Sequence, residues 1–557
     1  MFSSLTTEPL LAQAVDSVQL PNGSSPARPE IPPPQDVQPP SPESLPSPEP
    51  PQSLPSPEDL LQPLPPATTP GQEAFPGNAT QTITIKRFEV VGSTVFSPER
   101  LAKLLAPFTQ KPISVAELFQ ARSAVTQLYI EQGYITSGAY IPPQRLRLGV
   151  VTIQVVEGGL EAINVTGTRR LNPNYVRSRI AVNTSHPLNR NRLLESLQLL
   201  QLNPLIQNLS AELSAGSRPG ASVLELQVTE AKSFSTQTAL DNGRVPSVGS
   251  FRRRLQLNEA NLLGQGDGLS LGYTNTDGSN ALDASYLLPL NPRNGTLSLS
   301  YGTASSDIIE RSFDLLDIES ASRYYELTLR QPLVQTPRQE FALGLTASRQ
   351  ESNISSLLDT FGVPPSALSP GADDEGRTRI SALQFFQEWT SLNTREVIAA
   401  RSQFSLGIGA LDATINSDPP DSRFFAWQGQ AQWVRLLAPD TLLLIRSNVQ
   451  LADRALVPIE QFSLGGLESV RGYRQDLLLS DNGAFASAEV RLPLLRVSQL
   501  DAVLQLTPFV DVGTTWNSSG RSAPDPNTLA SVGLGLRLSQ SDRFTARLDW
   551  GYSFNRR

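Results

Sequence analysis

One guanidinium and one carboxylate carry the most specific chemistry in this chain. Arg471 lies in Val470-Arg471-Gly472-Tyr473, just after the glycine-rich run Gln461-Phe462-Ser463-Leu464-Gly465-Gly466. Asp511 lies in Phe509-Val510-Asp511-Val512-Gly513, on a later strand and on the face opposite the apolar neighbours of Phe509. A planar guanidinium matches a carboxylate with two parallel hydrogen bonds, so this pairing does electrostatic rather than catalytic work. Taken alone, Arg471 reads as a surface-loop charge of little energetic weight. With Asp511 downstream, the pair reads as an ion pair buried inside a β-barrel.

Other chemistry is thinly represented. The 557 residues contain no cysteine and one histidine, His186, which excludes a disulfide framework and a Cys/His zinc site. His186 sits in Ser185-His186-Pro187, a loop context in which histidines are usually solvated. No phosphate-binding glycine loop, G-x-S-x-G elbow or metal-ligand cluster is present, so neither a cofactor nor an enzymatic activity is expected. A net charge of −8 gives no general attraction to nucleic acid. No segment approaches the ~18–20 apolar residues of a membrane helix. The lack of cysteine suits an oxidising compartment.

Four regions follow along the chain. Residues 1–20 read as a short N-terminal segment or signal-peptide remnant, with Ala12-Gln13-Ala14 as a cleavage-like sequence but no basic start or apolar core before it. Residues 21–80 read as a disordered Pro-rich linker, 20 of the 46 prolines falling between 21 and 76. Leu45-Pro46-Ser47-Pro48-Glu49 returns there as Leu54-Pro55-Ser56-Pro57-Glu58, a composition that favours an extended spacer.

Two similar units occupy 81–158 and 159–232. Phe88-Glu89-Val90-Val91-Gly92 matches Ile163-Asn164-Val165-Thr166-Gly167, and Ser97-Pro98 matches Asn172-Pro173, each a helix cap followed by proline. Ser114-Val115-Ala116-Glu117 is a capping box opening a helix with the stripe Leu118, Ala121, Val125, Leu128, stopped by Gly133. Leu193, Leu194, Leu197 and Leu200 form the second unit's stripe. Gln154-Val155-Val156-Glu157 is echoed by Gln227-Val228-Thr229-Glu230. The order is β-α-α-β-β twice, two small α+β modules in tandem.

From 233 to the end the pattern is all-β. Leu297, Leu299 and Tyr301 alternate with Thr296, Ser298 and Ser300; Phe544, Ala546, Leu548, Trp550, Tyr552 and Phe554 alternate with Thr545, Arg547, Asp549, Gly551 and Ser553. A soluble sandwich alternates too. Three features favour a membrane barrel: strands near the ~9–11 residues a tilted span needs, charges on the polar face, and short turns alternating with long loops such as 352–375 and 453–483. In lipid every backbone N–H and C=O must be paired, so such strands must close on themselves.

From about residue 81 onward the chain resembles the two-partner-secretion transporters (TpsB, hemolysin activator type), within the superfamily of outer-membrane barrels that carry POTRA domains. Asn261-Leu262-Leu263-Gly264-Gln265-Gly266-Asp267 resembles that family's turn between early barrel strands. Asp481 and Gly483, followed by Glu489, Arg491 and Pro493, resemble its strand after the sixth extracellular loop. The resemblance implies two POTRA modules, a barrel in the outer membrane, and a loop 453–483 folded into the lumen with Arg471 pairing to Asp511. It implies that Gly472 permits the turn at the loop tip while Tyr473 packs against the wall, with Val470 part of the same loop lock and Phe509, Gly513, Glu489 and Arg491 belonging to the barrel motif. An unfolded exoprotein of the hemolysin or filamentous-adhesin type would be the cargo, captured at free POTRA strand edges without nucleotide hydrolysis. Lipid is a further partner, and periplasmic chaperones are admissible ones. A factor that inserts other barrels is the alternative; it would be favoured by a third module. Fifteen strands are countable where the family has sixteen, and a chain shortened at both ends is the simplest account.

Overall fold

A computed structural model describes residues 60–61, 82–145, 148–311, 313–518, 522, 524–541 and 543–554. The signal-peptide-like sequence at 1–20 and most of the proline-rich segment lie outside these residues.

The first module comprises β1 (Thr82–Thr84), β2 (Arg87–Val91), α1 (Pro98–Leu105), β3 (Pro112–Ser114), α2 (Val115–Glu131), β4 (Gly138–Tyr140) and β5 (Val150–Val156). Both helices begin where side chains satisfy orphan donors. Ser97 accepts from the Arg100 amide, and Ser114 exchanges hydrogen bonds with Glu117 in a complete capping box. Phe96, Leu101, Leu105, Val125, Tyr129 and Ile153 make the core between these helices and the sheet β2-β5-β4. Tyr129 goes deepest in the last turn of α2, in place of the expected Leu128, because its hydroxyl finds Glu157 at 2.8 Å. The short β1–β3 pair has no counterpart in the sequence pattern.

The second module repeats the order as β6 (Gly159–Thr166), α3 (Pro173–Ala181), α4 (Arg190–Gln201), β7 (Ile206–Ala215) and β8 (Ala221–Glu230), with sheet order β6-β8-β7. The repeat extends to backbone detail. Gly92 and Gly167 both have positive φ, and a Cβ on either would strike a carbonyl of the last strand, Val155 O at 2.6 Å or Val228 O at 2.3 Å. Glu157 then accepts from the amides of Thr94 and Val95, while Glu230 accepts from those of Arg169, Arg170 and Leu171. A terminal glutamate thus ties down the same turn in each module. His186 is exposed.

One part of the proline-rich segment is built into this second core. Leu60 is 2% exposed among Val176, Leu193, Leu197, Leu209 and Leu226, and Leu61 forms a parallel β-bridge with Ala211. Proline content hides this, although Leu60 and Leu61 carry apolar surface whose burial repays ordering the chain there.

Among the described residues, fifteen of the remaining strands form one antiparallel sheet. They are β9 (Phe234–Asp241), β10 (Arg252–Ala260), β11 (Gly268–Asn275), β12 (Ser279–Pro289), β13 (Thr296–Asp307), β14 (Glu319–Thr336), β15 (Gln339–Ser355), β16 (Arg377–Leu392) and β17 (Glu396–Ile408). Then come β18 (Phe425–Ala438) and β19 (Thr441–Ala452). The long connection that follows holds a small hairpin, β20 (Phe462–Leu464) with β21 (Leu478–Ser480), before β22 (Asn482–Val497), β23 (Ala502–Trp516), β24 (Thr528–Gln540) and β25 (Phe544–Ser553). Sequence neighbours pair throughout, β19 joins β22 across the hairpin, and β9 and β25 are the margins.

This sheet is inside-out relative to a water-soluble protein. Leu299, Tyr325, Leu345, Phe385, Phe404, Val510, Leu534 and Trp550 are exposed, whereas Glu326, Gln350, Arg401, Gln432, Asp511 and Ser531 are buried. On β23 the alternation is explicit: Val510 and Val512 face out, Phe509 and Asp511 face in. Such a continuous apolar belt is incompatible with water and fits lipid. No described helix is long and apolar enough to cross a membrane; the crossing is made by strands. The sheet wraps around the 453–481 connection, which touches Asp511 on β23, Gly551 on β25 and Glu310 between β13 and β14.

Candidate functional site

The site is built where that connection meets the inner wall. Cross-strand register places Ser487 of β22 opposite Asp511 and Glu489 opposite Phe509. Because strand side chains alternate, Ser487, Glu489 and Arg491 all face inward with Phe509, Asp511 and Gly513. The loop brings Arg471 onto this surface.

Arg471 is 3% exposed and Asp511 fully buried. Asp511 Oδ2 accepts from Arg471 Nε at 2.7 Å and from its backbone N at 3.1 Å, and Oδ1 accepts from Nη2 at 2.8 Å. Ser487 Oγ donates to Asp511 Oδ1 at 2.6 Å, which fixes the carboxylate. Nη1 of Arg471 donates to Glu489 Oε2 at 2.7 Å, and the guanidinium carbon lies 3.5 Å from the centre of the Phe509 ring. Glu489 also accepts from Arg491 Nε at 3.0 Å and Arg547 Nη2 at 2.8 Å, while Arg547 Nε lies 2.6 Å from Asp549. Arg471, Arg491 and Arg547 therefore meet Glu489, Asp511 and Asp549, with the two signs balanced. Balance is what makes so many charges tolerable away from water.

Neighbouring residues set the loop's height and angle. Gly472 has φ +92°, and a Cβ there would lie 2.7 Å from Gly551 O, so the tip lies flat on β25. Tyr473 donates from its hydroxyl to Ala530 O at 2.9 Å. Val470 is fully buried with Phe462, Leu464, Leu478, Phe485 and Leu529. Gly513 makes room for this cluster, since a Cβ on it would strike Leu464 Cδ1 at 2.4 Å. All nine residues singled out in the sequence, Val470, Arg471, Gly472, Tyr473, Glu489, Arg491, Phe509, Asp511 and Gly513, thus lie within one lumenal cluster.

Sequence reading did not single out Ser487, Arg547, Asp549, or the pair formed by Arg474 with Glu310. The first stands two residues before Glu489, on the same face; Arg547 and Asp549 belong to the polar row of the last strand. Arg474 forks onto Glu310 at 3.0 and 2.6 Å, a loop-to-loop contact that no local pattern marks.

The other motif has a separate task. In the turn 261–267, Asp267 accepts from the Leu263 amide at 3.0 Å and from the Tyr286 hydroxyl at 2.8 Å. A Cβ on Gly264 would strike Arg170 O at 2.6 Å, and one on Gly266 would strike the Tyr175 ring at 2.2 Å. These glycines let the turn lie against the second module rather than around a phosphate. Arg170 pairs with Glu259 at 2.6 Å, and Arg179 reaches Asn294 in the turn before β13 at 2.8 Å. The turns at 261–267 and 290–295 therefore face the modules, and the 453–481 connection enters the lumen from the opposite end.

Residues 220–538, more than half of the chain, match the family model described as haemolysin secretion/activation protein ShlB/FhaC/HecB. The chain belongs to this family. Residues 83–158 match the POTRA domain, ShlB-type. Among curated relatives, the heme/hemopexin transporter protein HuxB of Haemophilus influenzae (strain 86-028NP) is 24% identical over 494 residues, 84% of this chain and 82% of that one. The outer membrane transporter CdiB of Escherichia coli O6:K15:H31 is 25% identical over 496 residues, 87% of this chain and 82% of that one. The fold is similar to solved CdiB from Escherichia coli, with TM-score 0.65 at 21% identity over 88% of this chain and 89% of that one. This family member is an outer-membrane secretion transporter of the two-partner type, with its barrel in the outer membrane and its POTRA portion in the periplasm.

Proposed function

We propose that the chain exports a large, unfolded exoprotein of the hemolysin or filamentous-adhesin type, that the tandem modules capture it by strand addition, and that the Arg471–Asp511 clasp holds the lumenal loop in its working position. The observation that carries this reading is the forked, dry contact of Arg471 with Asp511, backed by Ser487 and Glu489. A surface charge would need no such setting. A buried ion pair contributes little net stability after desolvation, so its use is to specify one loop position among several. Main-chain pairing at a module edge suits an unfolded cargo, because it reads backbone rather than sequence. Transport in this reading needs no nucleotide, and folding of the cargo outside draws it through.

The test is purified full-length chain in lipid vesicles, supplied with unfolded partner exoprotein and no nucleotide. Protease-protected cargo should accumulate with wild-type chain and fall at least tenfold with Asp511→Ala at equal barrel content. Equal transport by the two proteins would remove the clasp from the mechanism; transport that starts only on adding ATP would remove the nucleotide-free reading.

A further inference from the structure

One buried cation of the second module has no anion. Arg179, in the last turn of α3, is 8% exposed. Its Nε donates to Asn294 Oδ1 at 2.8 Å and its Nη1 to Tyr175 O at 3.2 Å, while the guanidinium carbon lies 3.4 Å from the centre of the Tyr175 ring. Among the described residues Nη2 has no acceptor and no carboxylate pairs with the group. Arg401, Arg471 and Arg491 are also buried, yet each holds a carboxylate, at 2.6, 2.7 and 3.0 Å. Burial lowers the pKa of Arg179, and only Tyr175 opposes that shift. A charge taken from water without a counter-charge is costly, so the missing partner comes from outside the chain.

The space for that partner is present. Arg179 borders a cleft of about 160 Å³ between the second module and the foot of the barrel, where ~10–15 Å³ would hold one water. Asn183 and Asn203 line it from the module, Arg293 and Gln335 from the barrel turns. Arg293 is exposed at the rim, and no described residue of the lining is acidic. Asn294 leads through Gln335 to Glu340, but that carboxylate is already held by Arg330. The cleft therefore offers two guanidinium groups and several neutral polar side chains to one anion.

Its position in the membrane selects the anion. The turn at 290–295 and the one joining β14 to β15 lie at the module end of the barrel, which is periplasmic. Leu290, just before the first turn, and Leu333, in the lining itself, are 48% and 59% exposed. The apolar belt that meets acyl chains thus ends where a cationic, acid-free cleft begins, which is the order of chain and phosphate in a phospholipid. We propose that this cleft binds the phosphate of an inner-leaflet phospholipid, held by the Arg179 fork with Arg293 at the rim. A lipid seated there joins the second module to the barrel foot, so the membrane itself helps to set the module's tilt. This rests on the outer-membrane placement of the barrel and is independent of what is exported.

The test uses full-length chain, delipidated in an uncharged detergent and titrated calorimetrically with dihexanoyl-phosphatidylglycerol. Wild type should bind at least tenfold more tightly than Arg179→Gln, and should bind dihexanoylglycerol, which lacks the phosphate, at least tenfold more weakly than the phospholipid. Asn183→Asp puts a carboxylate into the cleft from an exposed position and should weaken phospholipid binding at least fivefold; it serves if Arg179→Gln disturbs the packing on Tyr175. Wild-type affinity in both variants would overturn the site. Equal affinity for dihexanoylglycerol would overturn the phosphate, and inorganic phosphate binding as tightly as the phospholipid would overturn the lipid as occupant.

Discussion

Asp511 holds Arg471 by side chain and backbone at once: its Oδ2 accepts from both Nε and the main-chain amide of the arginine, while Oδ1 takes Nη2. Lysine can supply the backbone bond and one ammonium contact but not the fork. Arg471→Lys should therefore behave nearly as badly as Asp511→Ala. Each leaves a buried charge without its full partner, at about 3–5 kcal/mol for the seated loop. Limited proteolysis of intact outer membranes should show new cleavage in 453–481 for both variants, with barrel levels unchanged. Protection equal to wild type in Arg471→Lys would mean that charge alone suffices.

The contact between Arg474 and Glu310 should be far weaker. Both side chains are more than a quarter exposed, at 30% and 26%, and pairs in that setting contribute less than ~1 kcal/mol. Glu310→Ala should leave export within about twofold of wild type, and the small effect should vanish at high salt. A loss as large as that of Asp511→Ala would show that this end of the loop bears more than its geometry suggests.

Close packing of the hairpin against the wall gives a steric prediction. A Cβ on Gly483 would lie 2.0 Å from Phe462 Cδ1, and one on Gly513 2.4 Å from Leu464 Cδ1, whereas one on Gly268 meets nothing within 4 Å. Gly483→Val and Gly513→Val should unseat β20 and β21 and expose the loop to protease, and Gly268→Val should not. Unchanged protection in the first two would mean that the wall yields instead.

The outer face should respond to charge by depth. Val510 lies mid-strand on β23 and is 54% exposed, so Val510→Arg puts a cation into hydrocarbon at about 2–4 kcal/mol near the midplane. Folding yield into vesicles should fall accordingly. Wild-type yield would argue that this side of β23 is not lipid-facing.

Glu157 ties pH to the first module. Burial pushes its carboxyl up, but hydrogen bonds from Thr94, Tyr129 and Val95 outweigh that and hold it below the ordinary value of 4.5. A depressed carboxylate stabilises the fold above its unfolded pKa and loses that contribution as pH falls through the folded one. Acidification below 4.5 should therefore loosen the turn after β2, and Glu157→Gln should loosen it at neutral pH by about 1–3 kcal/mol. Hydrogen exchange at Thr94 and Val95, corrected for intrinsic rate, reads both. Exchange in Glu157→Gln with the same pH dependence as wild type would assign the effect elsewhere.

Much of this was legible in the residues because it is local. Alternation locates all fifteen barrel strands, for which a half-buried sheet permits only period two. Ser114 with Glu117 announces α2 because a capping box acts within one turn. Arg471 and Asp511 could be linked only because each sits in a distinctive local sequence. What escaped depends on distance. Glu310 meets Arg474 because the 453–481 connection folds in against the loop between β13 and β14, and β1 meets β3 across a whole helix. Leu60 escaped for another reason: it lies within a proline-rich segment, while its neighbours in space are the core of a module that begins at residue 159.

The cross-lumen placement of the loop has a mechanical side. Its β23–β25 end is dry, forked and tightly packed, while its Glu310 end is wet and separable. Of these two fastenings, three residues apart in the chain, the partly exposed Glu310 contact is the weaker, so it is expected to release before the buried fork at Asp511.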